Sequence, residues 1–202
     1  MTEPKHPENP IGILLGGGIG SGKSAALRKM EERGATVVEA DHLGHALLQR
    51  GGEAFGAVIE RWPSALVEKE IDRGVLAEIV FADSGQLLEL ERITHPAIIN
   101  RIGEIASGAE DVVIEIPIIL DVPGDWTKVF VDANRAVRLW RAVERGNGEA
   151  DVRRRMASQP TRDEWLAWCD KTLDNNGSAE SLERQINSLW HGLRTTDDGL
   201  RS

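Results

Sequence analysis

The chain has no tyrosine, one cysteine and no apolar run approaching the length of a membrane span. With Cys169 alone no internal disulfide can form, so a packed core must hold the fold, and a reducing cytoplasm is the expected location. A spanning helix needs about 20 consecutive apolar residues; no such run exists, and no membrane partner is expected. Positive charge is also in short supply. Lysine and arginine number 24 against 33 aspartates and glutamates, and the net charge of −9 argues against a nucleic-acid partner, which favours a basic face. The opening "MTEPKHPENP" lacks the charged-then-apolar order of a secretion signal and reads as a short disordered leader. What is present suffices for one core: 202 residues, 41% of them hydrophobic, support a single domain with a small subdomain attached. Six tryptophans stand out, and the sequence supplies no reason for them.

Strand and helix patterns alternate at both ends of the chain. "IGILL" (11–15), "ATVVEA" (35–40), "DVVIEIP" (111–117) and "KVFVDA" (128–133) read as short buried strands, and "KTLDN" (171–175) as a last edge strand. Helices are expected over 23–33, stopping at Gly34, from Asp41 onward, and over 178–194, with a frayed polar tail from Thr195. Residues 53–108 read as helices throughout, with a bend at Pro96, which opens a helix but does not continue one. Strands alternating with helices predict a parallel sheet covered on both faces, with 53–108 as an insertion.

The chemistry begins at Gly17-x-x-x-x-Gly22-Lys23-Ser24, with a strand before it and a helix after it. Glycines there let successive N–H groups turn inward as an anion nest, and the following helix points its positive end at the same place. Lys23 reaches β- and γ-phosphates, and the Ser24 hydroxyl can ligate Mg²⁺. The nucleotide-binding set is therefore Gly18, Gly20, Ser21, Gly22, Lys23, Ser24 and Ala25, with ATP and Mg²⁺ as the expected cofactors. "VVEAD" puts Asp41 at the carboxyl edge of the sheet, where ligands bind in open α/β folds. A carboxylate there can take the proton of an attacking hydroxyl, or cap the next helix, or do both.

Between 134 and 162 eight arginines face three carboxylates, a net +5 that leaves the rest of the chain at −14. Such an island fits either a polyanionic small ligand or a solvated helix surface.

Together these stretches resemble the dephospho-CoA kinase family over about 11–191. The resemblance is carried by "GGIGSGKS" (17–24), "VVEAD" (37–41), "IDRGVLAEIVF" (71–81), "THPAI" (94–98), "EIPIILD" (115–121), "RLWRAVERG" (138–146), "SQPTRDEWLAWCD" (158–170) and "DNNGS" (174–178). It implies an ATP-dependent kinase acting on the ribose 3′-hydroxyl of 3′-dephospho-CoA. The implied fold is a three-layer α/β P-loop NTPase type, with a short parallel sheet flanked by helices. One domain would comprise a core at about 11–52, 109–133 and 170–194, a helical substrate-binding insertion at 53–108, an arginine-rich lid at 134–162 and a polar tail. The resemblance also implies Asp41 as general base, Arg141 and Arg145 as lid arginines, Asn175, Asn176 and Gly177 beside the adenine, and His45, Arg73 and His95 on the substrate side. His95 beside Pro96 fits a purely structural role as well. A monomer or weak homo-oligomer is expected.

Several positions depart from the family pattern. Gly16 and Ala25 stand where it has Thr, Glu39 and Glu115 where it has Asp, and His45 where Arg is common. A neutral imidazole holds an anion less well than a guanidinium. Another small-molecule or nucleotide kinase of the same fold, or a non-catalytic ATP-binding regulator, are the alternatives these departures leave open.

Overall fold

The computed structural model describes residues 10–195, so the expected leader and the tail beyond Thr195 fall outside the described residues. Seven strands are β1 (Gly12–Gly16), β2 (Thr36–Glu39), β3 (Leu66–Val67), β4 (Glu70–Ile71), β5 (Val112–Ile116), β6 (Thr127–Asp132) and β7 (Lys171–Asp174). The helices are α1 (Lys23–Glu31), α2 (Ala40–Leu48), α3 (Phe55–Arg61), α4 (Arg73–Ala82), α5 (Ser84–Ser107), α6 (Arg135–Glu144), α7 (Glu149–Ser158), α8 (Arg162–Trp168) and α9 (Ala179–Thr195). No described helix is long and apolar enough to cross a membrane.

The chain divides into two compact units, one over Ala40–Ser107 and one formed by the segments on either side of it. The flanking unit contains a five-stranded parallel sheet in the order β2-β5-β1-β6-β7, as an α/β fold of this type requires, with β7 at an edge. Ile13, Leu14 and Leu15 of central β1 are fully buried, which is why that strand reads as an unbroken apolar run rather than an alternation. Ile13 and Leu15 join Leu27 and Met30 of α1 and Leu182, Ile186 and Trp190 of α9 in one core cluster. Register sets Gly16 of β1 beside Ile116 of β5 and Phe130 of β6, so the loop after β1 leaves from the carboxyl edge of the sheet. Helix α1 ends at Glu31, two residues before the expected stop, and Gly34 then takes a left-handed turn with φ 93°.

The helical unit has its own core, formed by Val58, Trp62, Leu76, Val80 and Ala97 among others. Helix α2 packs there with α3 and α5. Two expectations fail in this unit. First, α5 runs unbroken from Ser84 to Ser107 through Pro96, although a proline inside a helix removes a backbone bond and costs about 3 kcal/mol. Packing of α5 against α2, α3 and α4, with Thr94 and Ala97 buried on either side of the proline, outweighs that local cost. Second, the stretch is not all helix: β3 and β4 form a two-stranded hairpin. Its turn residues, Glu68 (φ 49°) and Lys69 (φ 72°), hold the left-handed conformation that glycine or asparagine normally supplies, so no turn signal marked it.

Candidate active site

Between β1 and α1 the backbone turns through Gly17 (φ 149°), Gly20 (φ 75°) and Gly22 (φ 101°), the last directly preceding Lys23, the first residue of α1. The first N–H groups of a helix have no partner within it, and here they open onto this turn. The Lys23 ammonium folds back along the loop, donating to the Gly17 carbonyl at 2.7 Å and pairing with Glu115 Oε1 of β5 at 3.1 Å. Ser21 is buried, and its Oγ has no hydrogen-bond partner among the described residues.

The loop is braced from behind. Asn175, buried after β7, donates its Nδ2 to the Ser21 carbonyl at 2.7 Å, and a Cβ on Gly22 would collide with that amide. Gln159 Oε1 accepts the Ile19 N–H at 2.8 Å, and Arg138 Nε of α6 donates to the Ile19 carbonyl at 3.0 Å. Arg138 crosses the space where Gly18 and Gly20 would carry side chains. Burial, reinforced by nearby Arg135 and opposed by Asp132, holds the Arg138 guanidinium below its ordinary pKa.

Beside the loop lie two openings. One of about 200 Å³ is lined by Gly22, Ala25, Arg141, Arg145, Asn175 and Gly177. The other, about 410 Å³, has Ser24, Arg28, Glu39 and Arg145 on its walls. Arg141 Nη1 is fully buried without a hydrogen-bond partner among the described residues. A buried cationic donor left unpaired is costly, so the arrangement is complete only with an anion beside it. Arg145 is the residue that ends α6, and it reaches both openings. Asn176 supplies Oδ1 to the Asn134 N–H at 2.7 Å and donates its own N–H to Asp174 at 2.9 Å. That backbone bond first, and the Asn176 Nδ2 donating to the same carboxylate at 2.6 Å second, hold the Asp174 carboxyl below its ordinary range.

The arginine island splits between its two readings. Arg138, Arg141 and Arg145 approach the loop, whereas Arg153 pairs with Glu149 at 2.7 Å and Arg154 with Asp151 on exposed α7. Arg162 pairs with Asp132 at 2.8 Å. A capping box, in which Thr161 and Glu164 bond reciprocally, starts α8 and places Arg162 there.

In the helical unit Asp41 sits in the first turn of α2, exposed, with no hydrogen bond or ion pair among the described residues. Asp72 caps α4, accepting from Gly74 and Val75 N–H groups at 2.8 and 3.1 Å, and so fixes where Arg73 begins. Arg73 Nη1 lies 3.4 Å from His45 Nδ1. Since a guanidinium only donates, a hydrogen bond between them has Nδ1 as its acceptor. His95 is half-buried in mid-α5 and makes no hydrogen bond among the described residues.

The family model for dephospho-CoA kinase matches residues 11–181 of this chain. The chain is 37% identical over 190 residues to the dephospho-CoA kinase of Streptomyces avermitilis, covering 90% of this chain and 93% of that one. With the dephospho-CoA kinase of Corynebacterium jeikeium it shares 36% identity over 194 residues, 91% and 100% of the two chains. The crystal structure of TT1252 from Thermus thermophilus superposes with a TM-score of 0.77 at 29% identity, covering 92% and 99%. The chain belongs to the dephospho-CoA kinase family.

This dephospho-CoA kinase family member carries the full Gly17-x-x-x-x-Gly22-Lys23-Ser24 pattern, and the structure explains one of its departures from the family. At Gly16 a Cβ would run into the ring of Trp165. Trp165 is 1% exposed, stacks on Phe130 at 5.9 Å and meets Trp168 edge-on at 5.2 Å, so a tryptophan-rich wall fills the volume that a side chain on residue 16 would need. With Trp62 and Trp190 in the two cores, four of the six tryptophans thus have a place. Sequence reasoning missed Arg138, Gln159 and Trp165 as neighbours of the loop. The available signals were "RLWRAVERG", which opens with Arg138, and "SQPTRDEW", whose Gln and Trp flank the capping box. Nothing in the structure explains Ala25.

Proposed function

We propose that this chain transfers the γ-phosphoryl group of ATP to the ribose 3′-hydroxyl of 3′-dephospho-CoA, giving CoA and ADP, the last step of coenzyme A synthesis. The observation that carries the reading is the buried Arg141 Nη1, without a partner among the described residues, beside a glycine turn that ends in Lys23 and the open end of α1. The turn binds the phosphates through backbone N–H groups, and Lys23 exchanges its Gly17 and Glu115 partners for phosphate oxygens. Arg141 and Arg145 neutralise charge on the phosphoryl group as it moves, which is most of what catalysis of this reaction requires. Asn175, Asn176 and Gly177 lie on the adenine side. The helical unit binds the acceptor through His45, Arg73 and His95, and Asp41 takes the proton of the 3′-hydroxyl as its oxygen bonds phosphorus and ADP departs.

Mg²⁺ fits the donor set: the exposed Ser24 hydroxyl and the Glu39 carboxylate share one opening, and Mg²⁺ prefers few protein oxygens plus phosphates and water. When bound there, the ion supplies further neutralisation of phosphate charge. We place the enzyme in the cytoplasm, where its single thiol stays reduced, as a monomer or weak homo-oligomer.

The test is a coupled ADP-release assay with Mg-ATP and 3′-dephospho-CoA, followed by mass spectrometry of the acceptor. One added phosphate on dephospho-CoA, and none on a panel of nucleoside monophosphates, is expected. Transfer to the panel instead points to another kinase of this fold, and ATP binding without transfer to a non-catalytic regulator.

A further inference from the structure

The reaction as described uses Arg141 and Arg145 but leaves Arg138, on the same helix, and Gln159 without a role. Both converge on one residue of the phosphate loop. Gln159 Oε1 accepts the Ile19 N–H at 2.8 Å, Arg138 Nε donates to the Ile19 carbonyl at 3.0 Å, and Arg138 Nη2 also donates to Gln159 Oε1 at 3.3 Å. The Ile19 side chain leaves the loop as well. It packs with Leu139 against Ala142, Val152 and Met156, the small core between α6 and α7. The glycines on either side of Ile19 have no room for a Cβ because Arg138 occupies it: its guanidinium at Gly18, its backbone at Gly20. One loop residue is therefore held by both backbone polar groups and by its side chain.

We propose that Ile19, Arg138 and Gln159 form a clamp through which the arginine-bearing α6–α7 hairpin sets the shape of the phosphate loop, making Arg138 and Gln159 positioning residues for the nucleotide. This rests on the reading of 17–24 as the nucleotide loop. Its consequence is mechanical. The hairpin does not swing over the loop as a free lid, because moving its base breaks two hydrogen bonds and extracts Ile19 from its pocket. Nucleotide phosphates entering the loop and arginines arriving beside them are coupled events, since both depend on the same clamp. A loop fixed before the ligand arrives also spares the cost of ordering it on binding.

The test compares Gln159→Leu, which loses the acceptor, with Gln159→Glu, which keeps one for both Ile19 and Arg138. Three quantities are read: amide hydrogen exchange at Ile19 in the free protein, affinity for a non-hydrolysable ATP analogue, and the thermal midpoint. In Gln159→Leu, exchange at Ile19 should accelerate and nucleotide affinity fall by about tenfold each, the effect of one lost hydrogen bond of ordinary worth. The thermal midpoint should hold within a few degrees, and Gln159→Glu, which keeps the acceptor but adds a negative charge beside the phosphates, should keep Ile19 exchange at the wild-type rate. If Gln159→Leu melts far earlier, Arg138→Lys, which keeps the charge but loses the Nε donor, carries the same comparison. Unchanged Ile19 exchange, or lost protection with unchanged nucleotide affinity, overturns the clamp. Failure of dephospho-CoA phosphorylation in the wild type, alongside these shifts, would sink the proposed acceptor and leave the clamp standing.

Discussion

Around the phosphate loop the bracing residues are tied down before any ligand arrives, while Ser21 Oγ and Arg141 Nη1 have no hydrogen-bond partner among the described residues. Glu115 of β5, Arg138 of α6, Gln159 after α7 and Asn175 after β7 all bond to it or to its lysine, and Trp165 of α8 packs against Gly16 just before it. The residues of the helical unit proposed to meet the acceptor are the reverse: among the described residues Asp41 and His95 have no partner, and His45 and Arg73 share one 3.4 Å contact. On the proposed assignment, the nucleotide loop is held in shape by its neighbours, and the acceptor residues are left for a ligand to complete. Electrostatic catalysis gains most from the first arrangement, because fixed donors need no reorganisation as charge moves.

The sharpest way to break this contrast is to remove one group from each side. Lys23→Ala and Asp41→Asn should each lower kcat by roughly 10²–10⁴-fold, the range for a lost charge stabiliser or a lost general base. They should separate on binding. Lys23→Ala should also weaken ATP, measured by calorimetry, whereas Asp41→Asn should leave ATP affinity within about twofold of wild type. Substantial turnover by Asp41→Asn would remove it from the role of base.

A middle-sized effect tests the packing under the loop. Gly16→Thr restores the residue common in the family, yet here it should destabilise by about 1–3 kcal/mol, the cost of overfilling a packed core. The Trp165 ring cannot step aside, since Phe130 and Trp168 hold it on two sides. Adding Trp165→Leu to Gly16→Thr should recover part of the loss in a denaturant titration. Strictly additive effects would show that the two positions are not coupled.

That pair also marks where the sequence stopped being informative. The loop, the strand order's parallel character and the edge position of β7 were legible because periodicity, glycine spacing and chain order encode them locally. The wall of Trp165 against Gly16 joins residues 149 apart in the chain, and the grip of Gln159 on Ile19 joins residues 140 apart. No local pattern records such pairs. The same holds for α5, where a proline signal was overridden by packing, and for the β3–β4 turn, built from Glu68 and Lys69 rather than a turn-forming pair. The arginine island was legible as charge, but only geometry separated the three that reach the loop from those paired in solvent.

The smallest expected effect sharpens the acceptor side. His45 stands beside Arg73 where the family pattern commonly has a second arginine, and an imidazole offers fewer donors to an anion than a guanidinium does. His45→Arg should lower the KM for 3′-dephospho-CoA by about tenfold or less, because an anion bridging two exposed guanidiniums gains little through solvent screening. Without the ligand the two cations repel, which trims the gain further but leaves its sign. The KM for ATP serves as the internal control and should not move, since the loop's contacts are all made within the other unit. A parallel fall in both KM values would mean that the substitution stabilises the fold in general; no fall in either would remove His45 from the acceptor site.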